Sequence, residues 1–358
     1  MSSITDSFGA AVSRSAALEG QIAASPERFR VLSGDRPTGA LHLGHYFATL
    51  ANRVRLQRMG VEVYVLVADY QVITDRDSVG QLRDNVRGLV ADYLAARLDP
   101  GTSTIFAHSV VPALNQLMLP LLSLVSVAEL ERNPTVKAEA EAASGRAVSG
   151  LLLTYPVYQA ADILFCHANL VPVGKDQLPH VETTRLVARR FNERYAGGVT
   201  VFDEPDALLT AAPVLLGVDG AKMSKSRGNA IELGASEDDT SRLIRSARTD
   251  TQRTITYDPE DRPEVANLVL LAALCTGADP AQLAESIGDR GASAPKVLVI
   301  EAVNERLRPH RQRRTELAAN PGYLDEVLTK GNARANEVAD ETLDRVREAM
   351  RMAYLHDR

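Results

Sequence analysis

Residues 61–68 read Val-Glu-Val-Tyr-Val-Leu-Val-Ala. A strand with one wet face alternates apolar and polar positions. This run scarcely alternates and is rich in β-branched residues, as a parallel strand covered on both faces is. It stops at Asp69, the start of a loop. Its surroundings continue the theme. Residues 29–32 make a first short apolar strand. Residues 78–97 place Val79, Leu82, Val86, Leu89, Val90, Tyr93 and Leu94 at helical spacing, and residues 103–107 make a third strand. Strand, helix, strand, helix, strand in this order predicts an α/β fold, a Rossmann-type doubly wound parallel sheet. Such sheets bind ligands beyond the C-terminal ends of their strands.

Pro37-Thr38-Gly39-Ala40-Leu41-His42-Leu43-Gly44-His45 falls at the first of those ends. Ser33-Gly34 makes the bend before it. Tyr46, Leu50, Val54 and Gln57 follow at helical spacing, so both histidines stand at a helix start. Unpaired N–H groups and a partial positive charge suit that end to an anion. Gly44 leaves room for a bulky flat group against the backbone. A nucleotide's phosphates and base fit these features. Alone, a His-x-Gly-His run is a weak signal, because histidines at a helix start are often surface decoration. Far downstream stands Lys222-Met223-Ser224-Lys225-Ser226, followed by Arg227-Gly228-Asn229. Two lysines and small hydroxyl residues in a glycine-flanked loop form a cationic clamp for phosphates.

The two stretches, in this order and at this separation, resemble the HIGH-like and KMSKS segments of class I aminoacyl-tRNA synthetases. The resemblance runs from about residue 29 to residue 352. Two members of that class share this compact plan, the tryptophan and tyrosine enzymes. Leu152-Leu153-Thr154-Tyr155-Pro156-Val157-Tyr158-Gln159-Ala160-Ala161-Asp162-Ile163-Leu164 resembles the bacterial tryptophanyl-tRNA synthetases, as does Leu170-Val171-Pro172-Val173-Gly174-Lys175-Asp176-Gln177. Tyr155, Gln159 and Asp162 are spaced i, i+4, i+7 and share one helix face. An acceptor carboxylate in an apolar pocket suits an indole N–H, which only donates. The same face would also suit a phenol. Compact tyrosine enzymes usually carry a Tyr where this chain has Leu32, and an apolar group there fits an indole better. Two positions depart from the bacterial tryptophan pattern. His45 stands where many have Asn, and Gln71 stands where many have a pocket histidine.

The resemblance implies a tryptophan--tRNA ligase that forms tryptophanyl-AMP from L-tryptophan and ATP, then charges tRNA(Trp). It assigns His42, His45, Lys222 and Lys225 to catalysis on the phosphates. ATP contacts fall to Arg36, Gly44, Gly174, Asp176, Val214, Met223, Ser224 and Lys137. Tryptophan contacts fall to Leu32, Gln71, Tyr155, Gln159, Asp162, Val173 and Gln177. Mg²⁺ is expected to accompany the phosphates, and the active unit to be a homodimer. The alternatives are a tyrosine--tRNA ligase and a non-charging synthetase-like protein that binds RNA or regulates. Intact copies of both ATP motifs argue against the second.

Composition narrows this little. A net charge of −6 gives no global basic footprint for nucleic acid, although a local patch would suffice. Arg306, Arg308, Arg311, Arg313 and Arg314 form one such cluster, suited to phosphates. Cys166 and Cys275 lie far apart and form no metal-ligand pattern, so no protein-held metal is expected and a reducing cytoplasm fits. No apolar run approaches membrane-spanning length, no secretory leader pattern opens the chain, and no membrane contact is expected. The chain divides into an N-terminal extension (1–27), a catalytic domain (28–235) and an all-helical C-terminal domain (236–358) that reads the anticodon. A helical insertion at 112–150 interrupts the alternation. Its opening stretch, 112–130, reads as one apolar helix with surplus hydrophobic surface, a candidate dimer contact. Pro134 is expected to break the helix, and 139–149 to be mobile. Helix 150–165, strand 170–173 and helix 178–195 resume the sheet, and 212–216 lead into the lysine loop.

Overall fold

Residues 62–67 pair along their whole length with one strand, and residues 63–67 with another on the opposite side, as their apolar run requires. The computed structural model describes residues 2–74, 80–142, 147–174, 177–209 and 215–354. Its five parallel strands are β1 (Arg30–Asp35), β2 (Glu62–Val67), β3 (Ser103–Ala107), β4 (Leu170–Val173) and β5 (Asp206–Leu209), in spatial order β3-β2-β1-β4-β5. The order reverses between β1 and β4, the switch point where sheets of this kind bind their ligands. β1 leads there into a continuous helical stretch: α2 (Leu43–His45), a π turn (Tyr46–Leu50) and α3 (Ala51–Met59), ended by Gly60 in the left-handed conformation.

Several elements differ from expectation. Residues 1–27 are no loose extension, since α1 (Ser2–Ala24) is a long helix with Leu18 and Ile22 buried in the core. Its Ser15 Oγ accepts from the Leu209 N–H at 3.0 Å, covering the exposed side of edge strand β5. A Ser- and Ala-rich helix that buries so narrow a stripe leaves little periodicity to read. β5 itself has too few residues to announce itself and becomes a strand by pairing with β4.

The crossover from β2 to β3 is α4 (Leu82–Ala95), and residues 75–79, where the helix was expected to begin, lie outside the described residues. The 112–130 stretch is two helices, α5 (Pro112–Leu122) and α6 (Val127–Arg132). Ser126 caps the second, accepting from the Glu129 N–H at 3.2 Å. Most of the surplus apolar surface is core: Leu114, Leu117, Leu121, Leu124 and Leu130 are buried within the chain. Leu119, at 74% exposure, and Val127, at 60%, remain outside. Pro134 starts a helix rather than ending one, as its missing N–H allows at a first position, so α7 (Pro134–Ala142) fills some of the stretch expected to be mobile. α8 (Gly150–Leu164) and α9 (Leu178–Arg194) flank β4.

The remaining helices are α10 (Glu237–Arg245), α11 (Pro263–Thr276), α12 (Pro280–Ile287), α13 (Ser293–Ala318) and α14 (Pro321–Ala349). α14 returns to the sheet and covers the other edge. Asn332 Oδ1 accepts from the Ala107 N–H at 2.9 Å, and Asn336 donates to the Val110 carbonyl at 2.9 Å. α13 turns much of its basic cluster inward. Arg306 donates to the Tyr46 hydroxyl at 3.0 Å, Arg311 to Asn304 and Thr240 at 2.8 Å each, and Arg314 to the buried Asp92 at 2.7 Å; Arg308 pairs with Glu237 and Glu305. Arg311 and Arg314 are thus occupied by internal partners, while Arg306 and Arg308 stay exposed at the surface. Among the described residues no single helix is long and apolar enough to cross a membrane.

Gly331 gives a test of the α14 docking. A Cβ there would stand 1.8 Å from the Ile105 carbonyl oxygen. On an open helix Gly→Ala stabilises by about 1 kcal/mol. Here Gly331→Ala is expected to destabilise by about 2 kcal/mol through overpacking. A thermal melt reads the sign directly, and a raised Tm would show that α14 does not press on β3 in solution.

Candidate active site

The site grows from the end of β1. Arg53, from α3, is fully buried and spends its guanidinium on that strand end. It donates to Ser33 Oγ at 2.8 Å, to Asp35 Oδ2 at 2.5 Å and to the Gly34 carbonyl at 3.2 Å. The Tyr93 hydroxyl, from α4, donates to the same Asp35 oxygen at 2.8 Å. Burial, the largest single influence, would raise the Asp35 pKa, but the charge and hydrogen bond of Arg53, with His45 and the Tyr93 hydroxyl, together outweigh it and hold the carboxyl below its usual range. The pair is thus charged, hydrogen-bonded and rigid beneath the turn that follows.

That turn meets the lysine loop by main-chain pairing. The Leu43 N–H donates to the Ile231 carbonyl and the Leu233 N–H to the Leu41 carbonyl, both at 2.9 Å, which sets His42 opposite Glu232 in an antiparallel bridge. His42 caps α2, its carbonyl accepting from the Tyr46 N–H at 3.0 Å, and its own N–H donates to His45 Nδ1 at 3.3 Å. The two imidazoles lie 3.8 Å apart between centroids. Burial, with His45 and Lys225 nearby, lowers the His42 pKa to about 3. His45 is lowered too, by burial first; Asp35 pulls the other way, and Lys225 and Arg53 add to the lowering. Both rings are therefore neutral at pH 7 and act as N–H dipoles. The glycine between them is obligatory, since a Cβ at Gly44 would meet the His42 ring at 2.9 Å.

Asn229 shapes the loop. Its Oδ1 accepts from the Ser224 N–H at 2.8 Å, and its amide donates to Asp219 at 2.7 Å and to the Lys222 carbonyl at 3.2 Å. Met223 is buried, its N–H donating to the Leu215 carbonyl at 3.2 Å. Lys222 is exposed. Lys225 Nζ comes within 3.7 Å of where a Gly39 Cβ would stand, so the second lysine lies over the histidine turn.

The expected amino-acid pocket lies under α8, across the ends of the sheet's strands. Asp162 is buried on α8, and its Oδ2 accepts from Gln71 Nε2 at 3.2 Å. Leu32 and Val173 share an apolar cluster with Val157 and Ala161 of the same helix. The Tyr155 hydroxyl lies 3.1 Å from His180 Nε2, and burial pushes its pKa up to about 12, with the Arg36 charge acting against it. Gln159 is half-buried on the same helix face. Gln177 sits at the start of α9, its N–H donating to the Gly174 carbonyl at 3.1 Å. Asp176 and Val214 lie outside the described residues. Lys137 is the one described candidate not brought in. Thr135 and Glu139 of α7 act on Tyr155, and Lys137, exposed and midway between them in sequence, faces the other side of the helix.

Sequence reasoning missed three residues. Asp92, fully buried on α4, accepts from the Leu41 N–H at 3.4 Å while holding Arg314, and His310 Nε2 lies 3.3 Å away. Asn229 holds the loop. His108 follows β3 directly, and that position, at a strand's C-terminal end, was the signal that could have found it.

A parallel sheet whose switch point carries neutral histidines at a helix start, under a pinned lysine loop, defines a nucleotide site of the class I synthetase kind. The chain belongs to the class I tRNA synthetases of the W and Y group, whose family model matches residues 24–308. Within it, the chain is 40% identical over 336 residues to tryptophan--tRNA ligase of Lactococcus lactis, covering 90% of this chain and 98% of that one. It is 42% identical over 330 residues to the Treponema pallidum enzyme of the same name, covering 90% and 96%. Among solved structures it resembles tryptophanyl-tRNA synthetase from Campylobacter jejuni complexed with ADP and tryptophan, at TM-score 0.76 and 32% identity over 89% of this chain and 99% of that one.

The buried imidazoles fix a pH dependence. His42 binds no proton in the folded chain until the pH nears 3, whereas unfolded it titrates near 6.5. Below pH 6.5 the unfolded state therefore binds the extra proton, and stability falls as the pH falls toward 3. Guanidinium melts between pH 7 and pH 4 are expected to show this, and His42→Asn to remove up to about 1.4 kcal/mol per pH unit of the slope. An unchanged slope would mean that His42 is not held neutral.

Proposed function

We propose that this chain is the catalyst of tryptophan activation and transfer: L-tryptophan and ATP give tryptophanyl-AMP and pyrophosphate, and the tryptophanyl group then passes to the 3′-terminal adenosine of tRNA(Trp). The observation that carries the reading is the pairing of His42 with Glu232, which brings the histidine turn against the chain just after the lysine motif. Similarity to tryptophan--tRNA ligases over nine-tenths of the chain supports the choice of amino acid.

In the first step a tryptophan carboxylate oxygen attacks the α-phosphorus, and the bond to the bridging oxygen of pyrophosphate breaks. Charge builds on the phosphate oxygens, where fixed donors lower the barrier most. His42 and His45 supply N–H dipoles from the helix start, and Lys222 and Lys225 supply charge to the leaving pyrophosphate. Gly44, Met223, Ser224, Gly174 and Arg36 line the nucleotide's course, with Asp176 and Val214 assigned to it by resemblance. Tyr155 and Gln177 hold the ammonium, and Asp162 accepts the indole N–H between Leu32, Val173 and the Gln71 amide. Gln159 completes that face. Mg²⁺ would enter with the phosphates. Among the described residues no group of three or more His, Cys, Asp or Glu gathers to hold it, so the protein's contribution is borne by its lysines and dipoles.

Residues 236–358 are the expected anticodon reader, and the cytoplasm the place of work. A homodimer is proposed across the outer side of α5 and α6, where Leu119 and Val127 stay exposed. Sedimentation is expected to give a dimer, and Leu119→Asp to shift it toward monomer; a monomeric wild-type chain would refute the assignment.

Amino-acid-dependent ATP–pyrophosphate exchange tests the activity. Exchange is expected with tryptophan and not with tyrosine. Lys225→Ala should lower kcat by about 100-fold, the loss usual for a charge that acts on the transition state. Asp162→Ala should act mainly on the KM for tryptophan. Exchange with tyrosine would overturn the Leu32 argument, and none with either would favour the non-charging alternative.

A further inference from the structure

The proposed mechanism gives His108 no role. It is fully buried at the C-terminal end of β3. Its Nδ1 lies 2.8 Å from Asp162 Oδ1, while Gln71 holds the other carboxylate oxygen. The ring stacks on Tyr158, 4.3 Å between centroids and 13° between planes, and Tyr70 meets it edge-on at 5.6 Å. The backbone is pinned too: the Ser109 N–H donates to Asp69 Oδ1 at 3.0 Å, and its hydroxyl donates to the other oxygen. Ring and backbone are thus fixed independently of any ligand.

The contact decides the tautomer. At 2.8 Å the negative carboxylate oxygen attracts a protonated Nδ1 and repels a bare one, so the proton belongs on Nδ1. Nε2 is then bare; it is buried and has no hydrogen-bond partner among the described residues. In the free protein the Nδ1–H is off the line to Asp162. Active-site contacts commonly stand so and tighten when ligand binds.

We propose that His108 is a specificity-determining residue of the amino-acid pocket: with Gln71 it holds the Asp162 carboxylate in one orientation, as a fixed acceptor for an aromatic N–H. This rests on the reading of Asp162 as the indole partner. A buried carboxylate lacking such support turns to another partner or takes up a proton, and a protonated carboxyl serves a phenol as well as an indole. Discrimination in favour of a donor-only group therefore needs the acceptor held. His108 is a positioning residue in this scheme and acts through Asp162.

The test is pyrophosphate exchange with L-tryptophan and with L-3-benzothienylalanine, in which sulfur replaces the indole N–H. The wild type is expected to prefer tryptophan in kcat/KM by at least about tenfold, and Asp162→Asn to lose most of that preference. His108→Phe keeps a ring on Tyr158 but removes the donor. It should lower the preference several-fold through the KM for tryptophan, with the KM for ATP unchanged. His108→Asn places an amide N–H near the Nδ1 position and should restore it. No preference in the wild type, or a preference kept by Asp162→Asn, overturns the Asp162 reading and the proposal with it. A preference lost in Asp162→Asn but kept in folded His108→Phe overturns the His108 proposal alone. Should His108→Phe not fold, imidazole ¹⁵N resonances of the wild type decide, assigned with His108→Asn. A proton on Nδ1 supports the proposal, and a proton on Nε2 alone overturns it.

Discussion

Two main-chain hydrogen bonds between residues 41–43 and 231–233 hold this molecule's chemistry together. They join segments nearly two hundred residues apart in sequence. They depend on backbone geometry, so the side chains on either side are free to serve the ligand. Asn229 and the buried Met223 fix the loop from its inner side, so that Lys222 and Lys225 project from a pinned frame. A cationic loop so held pays little ordering entropy when phosphates arrive.

The support beneath is charged but fully partnered. Arg53 is taken up by a strand end, and a buried guanidinium persists only where each donor finds an acceptor. Asp92 does the same in the next layer outward. It holds the backbone just before His42 on one side and Arg314 of α13 on the other, while Arg306 of the same helix reaches Tyr46. α13 thus reaches the histidine turn from behind, directly at Tyr46 and through Asp92. With α1 and α14 covering the two sheet edges, the outermost helices of the chain close the sheet against pairing with another molecule.

Much of this was legible beforehand, and the elements that were not share a cause. Strands β1 to β4 and helices α8 and α9 have strong local periodicity or β-branched runs, and all stood near their expected places. β5, α1 and the division of residues 112–132 lacked it: a four-residue strand is made by its neighbour, and an alanine-rich helix shows its buried stripe only once something packs there. The basic cluster of α13 misled in the opposite way. Charge is visible in sequence, but its partner is not: Arg311 and Arg314 turn to Asn304, Thr240 and Asp92, while Arg306 and Arg308 stay exposed.

For the site the division is similar. By itself the sequence determined the reaction class and pointed to candidate phosphate-binding residues, because a helix start with histidines and a loop with lysines are local, contiguous signals. It also placed Tyr155, Gln159 and Asp162 on one face, since helical spacing is local too. Only the tertiary structure decided what surrounds them: that His42 is neutral, that Lys225 lies over the Gly39 turn, that Lys137 faces away, and that Asp162 stands between Gln71 and His108. Burial and pairing across the sheet set those properties, and both depend on contacts between residues that no sequence window contains.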